Sequence, residues 1–437
     1  MRSPINRRNN LCLERISARL PCRFRHFITP MTHFRLLAPV RLALPCIFPS
    51  WRLTLAGLLV GLFAWPGAAQ AQVPDKAAPA SSTSSASSSA LAGGTAAAAS
   101  AASAPPAPIY KWMRAPRVFG RLTAKDLGLV INEDDPYSVE VGKYYAAARQ
   151  IPAERILRVR LPVRAGLTRE EFEGLSKRVD AFYGSRVQAL ALAWRLPYAV
   201  DCNSITGALT TGFDDKLCSK TCAPSRPSSY FGSVSTRPFK DHHMRLSMLL
   251  ASKDVEAAKA MIDRGVRSDG TLGLRGALPV GVHFVATSDT VRSQRQYLFP
   301  PAGPVPQFGI QVYLDQTEAL KNVDRVLIYM TGRATVDALD TVGFVPGALA
   351  DHLTSFGGIL DQAHGQMTVL SWLEAGATAS YGTTSEPCAH LQKFPNPQAA
   401  LLFYLQGATA LEAYWKSVAW PQQGLFVGEP LAAPFGR

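Results

Sequence analysis

No uninterrupted apolar stretch in the chain reaches the ~20 residues that a membrane-spanning helix needs. G-x-S-x-G, H-E-x-x-H, the phosphate-binding loop and G-x-G-x-x-G are all missing. Those absences remove the serine-hydrolase elbow, the zincin helix, the P-loop nucleotidase and the dinucleotide fingerprint. Acidic residues are sparse, 32 against 46 Lys+Arg, for a formal charge of +14. The surplus points to nucleic acid until it is located. Residues 1–71 hold ten arginines, one glutamate and no lysine, which leaves 36 basic against 31 acidic side chains in residues 72–437. The basicity belongs to the leading segment, and no nucleic-acid partner is expected. With 47% hydrophobic residues over 437 positions, a mainly disordered chain is excluded as well.

What is present starts with an address. Leu53–Ala64 reads LTLAGLLVGLFA directly after Arg52, Pro66-Gly67 breaks it, and Ala69-Gln70-Ala71 supplies a small-x-small cleavage site. A basic flank, a short apolar run and small residues make a secretory signal peptide, with cleavage near Ala71. The reading is export to the periplasm or beyond, with no transmembrane anchor in the mature protein. The 52 residues upstream are long for such a leader, so Met31 competes with Met1 as the start. Residues 72–108 are almost wholly Ala, Ser, Pro, Gly and Thr and read as a disordered tether.

Cysteine is scarce. Cys12, Cys22 and Cys46 precede the cleavage site; Cys202, Cys218, Cys222 and Cys388 follow it. An even number in an oxidising compartment reads as disulfides, with three pairings open. Cys202, Cys218 and Cys222 share one polar segment, so at least one local bridge is expected there. A zinc site from Cys218, Cys222 and His242 or His243 has the right ligand types but no second tight pair, and no metal or cofactor is called.

From residue 109 the pattern alternates. Leu127–Asn132 is a short apolar run ended by Asp135-Pro136, an N-cap with proline at the first helical position. A helix to about Arg149 and a strand over Ile156–Leu161 follow. Thr168 and Glu171 make a capping box for a helix that places Phe172, Leu175, Val179 and Phe182 on one face, with Gly184 as its stop. Val187–Trp194 is a third strand. This βαβαβ opening predicts a single α/β domain over 109–437: a mostly parallel, doubly wound sheet with helices on both faces. Residues 202–242 read as a polar insertion. Further strands are expected at Val280–Ala286, Ile310–Leu314, Val326–Met330 and Ala377–Tyr381. Helices are expected from Val255 to Gly265, over PGALADHLTS (carrying Asp351 and His352), over Met367–Ala375 and at the C-terminal end.

Parallel sheets bind ligands beyond the carboxyl ends of their strands. That rule selects Asp135 after the first strand, Arg195 and Tyr198 (with Asp201) after the third, Arg333 after Val326–Met330, and Glu386 after Ala377–Tyr381 as ligand contacts. Cys388 and Glu386 are the weak catalytic candidates, since no nucleophile–base pair is visible. His283 reads as a core histidine. Binding of an unidentified ligand or envelope component is the leading reading; an exported hydrolase is the alternative.

Asn132-Glu133-Asp134-Asp135-Pro136-Tyr137-Ser138, PGALADHLTSFGG, WLEAGATASYGT-x-x-EPC, QKFPNP, EAYWKSV and QGLFVGEPL together resemble a family of uncharacterised exported bacterial proteins across Asp126–Phe435. The resemblance implies one fold unit and no particular activity. A fainter similarity, a strand with a glycine turn followed by a helix and G-A-x-A-x-x-G, is to gingipain- and caspase-like cysteine peptidases. It implies a caspase-like scaffold, but Thr331-Gly332-Arg333 stands where those enzymes carry histidine.

Overall fold

The computed structural model describes residues 110–362 and 364–437. The expected signal peptide (1–71), with Cys12, Cys22 and Cys46, and the tether (72–108) lie outside the described residues.

The strands, in chain order, are β1 (Leu127–Asn132), β2 (Ile156–Val159), β3 (Gly166–Leu167), β4 (Ala189–Leu192), β5 (Ala199–Val200), β6 (Asn203–Ser204), β7 (Leu246–Leu249), β8 (Val280–Ala286), β9 (Gly303–Val305), β10 (Ile310–Gln316), β11 (Val323–Gly332), β12 (Val342–Leu353), β13 (Ala379–Thr383) and β14 (Gly424–Gly428). The α-helices are α1 (Pro136–Ala148), α2 (Arg169–Tyr183), α3 (Ile205–Thr211), α4 (Lys216–Ser219), α5 (Pro238–His242), α6 (Val255–Ser268), α7 (Val369–Glu374), α8 (Pro397–Leu405) and α9 (Ala410–Trp415).

Local chemistry sets the first elements. All six residues of β1 are buried, as a strand covered on both faces requires. Asp135 caps α1 by accepting from Tyr137 N at 3.0 Å, and Pro136 opens the helix. The Thr168–Glu171 capping box starts α2, and Gly184, at φ +52°, ends it. The buried stripe of α2 closes on Tyr183 rather than on the expected Phe182, and the Tyr183 hydroxyl donates to Leu129 O at 2.8 Å.

Among the described residues, eleven strands form one sheet in the order β2-β1-β4-β7-β14-β13-β12-β11-β8-β10-β9. The pairs β1–β2, β1–β4, β4–β7, β8–β10, β8–β11, β11–β12 and β12–β13 are parallel. β9–β10 and β13–β14 are antiparallel. Both faces are covered. Successive strand residues point to opposite sides; Gly128 lies against the Tyr183 ring of α2, and Ile131 lies against Gly142 of α1.

β14 touches β7 at one pair of parallel type, Val427 beside Leu249. A single pair does not set a strand's direction; the contacts at the two ends do, and for β12–β13, also joined at one pair, Thr378 N to Ala348 O (2.8 Å) and Thr383 Oγ1 to Thr354 O (3.1 Å) run parallel. Before β14, Gln422 O accepts from Ser204 N at 2.8 Å, and after it Glu429 meets Arg149, just past the far end of α1, at 2.5 Å. Because α1 starts where β1 stops, β14 runs back against β1, β4 and β7. The carboxyl ends of β1, β4, β11, β12 and β13 therefore emerge along one edge.

Four expectations change. PGALADHLTS is not a helix but the buried end of β12. Gly265 does not stop α6, which continues to Ser268; the glycine instead clears space for Glu429, whose carboxylate would lie 2.4 Å from an added Cβ. β7 and β14 are strands that the periodicity did not reveal. The 202–242 insertion holds β6 and the largely buried α3 as well as polar loops.

Candidate functional site

Tyr198 is the best-placed residue on the carboxyl edge. Its backbone N–H donates to Ala165 O at 2.9 Å, which lays the segment after β4 against the small β3-β5-β6 sheet. The ring is buried, and its hydroxyl donates to Asp361 Oδ1 at 2.7 Å. Burial first, then the Asp361 hydrogen bond and charge, push the Tyr198 hydroxyl well above the usual phenol range. It is a donor at neutral pH and no base. Tyr198, Arg164, Leu167, Thr168, Asp201 and Thr384 line a cleft of about 290 Å³. Asp201, exposed at φ +45°, occupies a left-handed conformation that aspartate tolerates better than most residues.

The other strand-end candidates fall into separate groups on the same edge. Asp135 and Arg195 are neighbours: burial raises the Asp135 carboxyl, while the Tyr137 and Ser138 N–H groups and the Arg195 charge oppose it. Arg195 also donates to Lys253 O at 2.9 Å, and Asp135 is occupied as a helix cap. Arg333 is held by Glu318 and by Asp337 at 3.6 Å. A relay of contacts joins that end to the centre: Ser288 N to Glu318 (2.8 Å), Arg292 to Asp289 (2.7 Å), and Arg292 Nε to Thr354 (3.2 Å). Glu386 sits beside Tyr198's cleft in the turn after β13. Its carboxylate accepts from Cys388 N at 2.7 Å, and the adjacent Ser385 hydroxyl donates to Cys202 O at 2.7 Å.

The cysteines close this region. Cys202 is bonded to Cys218, the local bridge expected within the insertion, and Cys222 is bonded to Cys388. Cys388 is thus corrected as a nucleophile, because a bridged sulfur has no thiolate to offer. The zinc arrangement fails for the same reason, since both Cys218 and Cys222 are oxidised. His242 instead lies 2.9 Å from Ser233 Oγ and edge-on to Tyr230.

Two other histidines, His352 and His283, are satisfied within the core. His352 Nδ1 accepts from Trp372 Nε1 at 2.9 Å, and its Nε2 faces Met367 O at 3.0 Å. His283 is buried beside Asp315 (2.9 Å) with its ring stacked on Tyr313. Near Tyr381, Asp351 and Arg295 pair at 2.5 Å with no exposure to solvent, so neither reaches the cleft.

Asp361 escaped the sequence reading. It lies in a Gly-rich loop eight residues beyond the end of β12, and only the fold brings it to Tyr198, 163 positions away. The one sequence signal for it is the polar run Asp361-Gln362 after an apolar stretch. A larger cavity, of about 640 Å³, lies elsewhere, at the amino ends of β4 and β7. No family model matches the chain, and no curated protein matches it at a significant level.

Proposed function

We propose that this is an exported binding protein of the cell envelope whose ligand docks in the carboxyl-edge cleft. The observation that carries the reading is convergence: Tyr198 and Asp201 after β4, Thr384 after β13 and Arg164 after β2 line one cleft, and Asp361 from beyond β12 holds the Tyr198 hydroxyl. Pockets at this position in parallel sheets collect polar groups from several strand ends onto one ligand. The Tyr198 phenol, the Asp201 carboxylate and the guanidinium of Arg164, which is paired with Glu171 at 2.5 Å, suit a small polar molecule with both donors and acceptors. Two disulfides are compatible with an oxidising compartment, which supports export alongside the sequence signal.

The test is a metabolite panel scored by thermal shift on the mature protein, followed by Tyr198→Phe and Asp201→Asn. A ligand whose stabilisation disappears in both variants supports the reading. A ligand unaffected by either variant places binding elsewhere, and turnover of that ligand lost on Glu386→Gln would replace binding with hydrolysis.

A further inference from the structure

On the edge opposite the proposed binding cleft, α2, α3 and the segment leading into β7 border an open cavity of about 640 Å³. That is ample for a small organic ligand. Its wall is built from two kinds of surface. Val179, Ala208, Leu209, Phe239 and Met244 supply an apolar side, and Arg226 and Arg245 supply cationic groups. Asp180 is the one acidic side chain among the lining residues.

Arg245 is the informative residue. It is only 4% exposed, its Nη1 donates to Asp180 Oδ1 at 2.7 Å and its Nη2 to Gly184 O at 2.6 Å. Its guanidinium lies 4.0 Å over the Phe239 ring. Its Nε–H is buried and has no partner. A buried guanidinium N–H without an acceptor is costly, and an arginine presents Nε–H in the geometry that a carboxylate accepts. Arg226, an exposed residue, lines the same cavity and donates to Thr211 O at 3.1 Å.

The charge count selects the ligand. Asp180 offsets Arg245, so with the lining His242 and His243 counted as neutral the lining carries one formal net cation, matched by a monoanion rather than by a phosphate dianion. The apolar wall would stay uncovered beneath an inorganic ion. We infer that this cavity binds a monovalent organic carboxylate with an apolar body, its head group on Arg245 and Arg226 and its body against Phe239, Val179 and Met244.

Calorimetric titration of the mature, oxidised protein tests this with phenylacetate, its neutral amide phenylacetamide, and inorganic phosphate. Saturable phenylacetate binding is expected, with the amide at least ~10-fold weaker, as loss of a charge-assisted contact predicts. Phosphate should not compete at equal concentration. Arg226→Glu, at an exposed position, should weaken phenylacetate by ~10-fold or more without moving the unfolding midpoint, and Arg245→Met should abolish binding. If Arg245→Met does not fold, Arg226→Glu decides alone. Equal affinity for acid and amide, competition by phosphate, no binding of phenylacetate, or an unchanged Arg226→Glu affinity would each overturn the assignment.

Discussion

Cys222 and Cys388 stand 166 positions apart and share a disulfide that ties the 202–242 insertion to the turn after β13. With Cys202–Cys218 beside it, the bridge holds one wall of the carboxyl-edge cleft. Cys388 should resist thiol-reactive probes in the folded, oxidised protein and label only after reduction. The paired Cys222→Ser, Cys388→Ser variant should lose about 2–5 kcal/mol of stability, the usual cost of removing a native bridge. Denaturation with and without reductant, with peptide mapping by mass spectrometry, checks both.

The Arg295–Asp351 pair is sealed within the protein, joining Arg295 to β12, with a further bond from Arg295 Nη2 to Thr331 O of β11 at 2.6 Å. Removing one partner strands the other charge away from water. Asp351→Asn or Arg295→Met alone should cost about 3–5 kcal/mol, while the apolar double replacement Arg295→Met, Asp351→Leu should cost less than either single change. A double-mutant cycle in urea measures the difference.

Acid should weaken the fold through His352. Burial, with the Arg295 and Arg292 charges adding to it, pushes its pKa down to about 3, against the Met367 carbonyl's opposing pull. The unfolded chain takes up that proton near pH ~6.5 and the folded one does not until about 3. Stability from this residue is therefore full above pH ~6.5 and falls by about 1.4 kcal/mol per unit as pH drops below it. His352→Gln, which can still accept from Trp372 and donate to Met367, should flatten that slope in a pH series of unfolding midpoints.

Gly207 in α3 lies so close to the segment leading into β14 that an added Cβ would sit 2.4 Å from Gln422 O. Backbone atoms on that side cannot rotate away. Gly207→Ala should destabilise by roughly 2–3 kcal/mol, at the upper end for overpacking, whereas Gly174→Ala on the open side of α2 should be harmless. Thermal melts of the two variants make the comparison.

The opening of the fold was legible because its signals are local. Asp135-Pro136 and Thr168–Glu171 declare helix starts within four residues, and β1 appears as a bare apolar run. The misreadings share a cause as well. A strand buried on both faces has no alternation, so Ala348–Leu353 fitted a helix as readily as a strand. β14 hides behind two glycines that packing against Tyr381 and Ala379 requires. Of the site, the strand-end rule found Tyr198 and Glu386 but not Asp361. Which rim residues share a cleft depends on lateral position along an eleven-strand sheet, and no local pattern encodes that.

The position of β14 has a consequence for how this chain is assembled. The strand nearest the C-terminus is seated mid-sheet, between β7 and β13. Until Gly424–Gly428 arrives, everything synthesised before it is two unfinished slabs, each with a raw strand edge open to unwanted partners. A chain truncated before Gly424 cannot close that gap, so the sheet is completed only once this strand is in place.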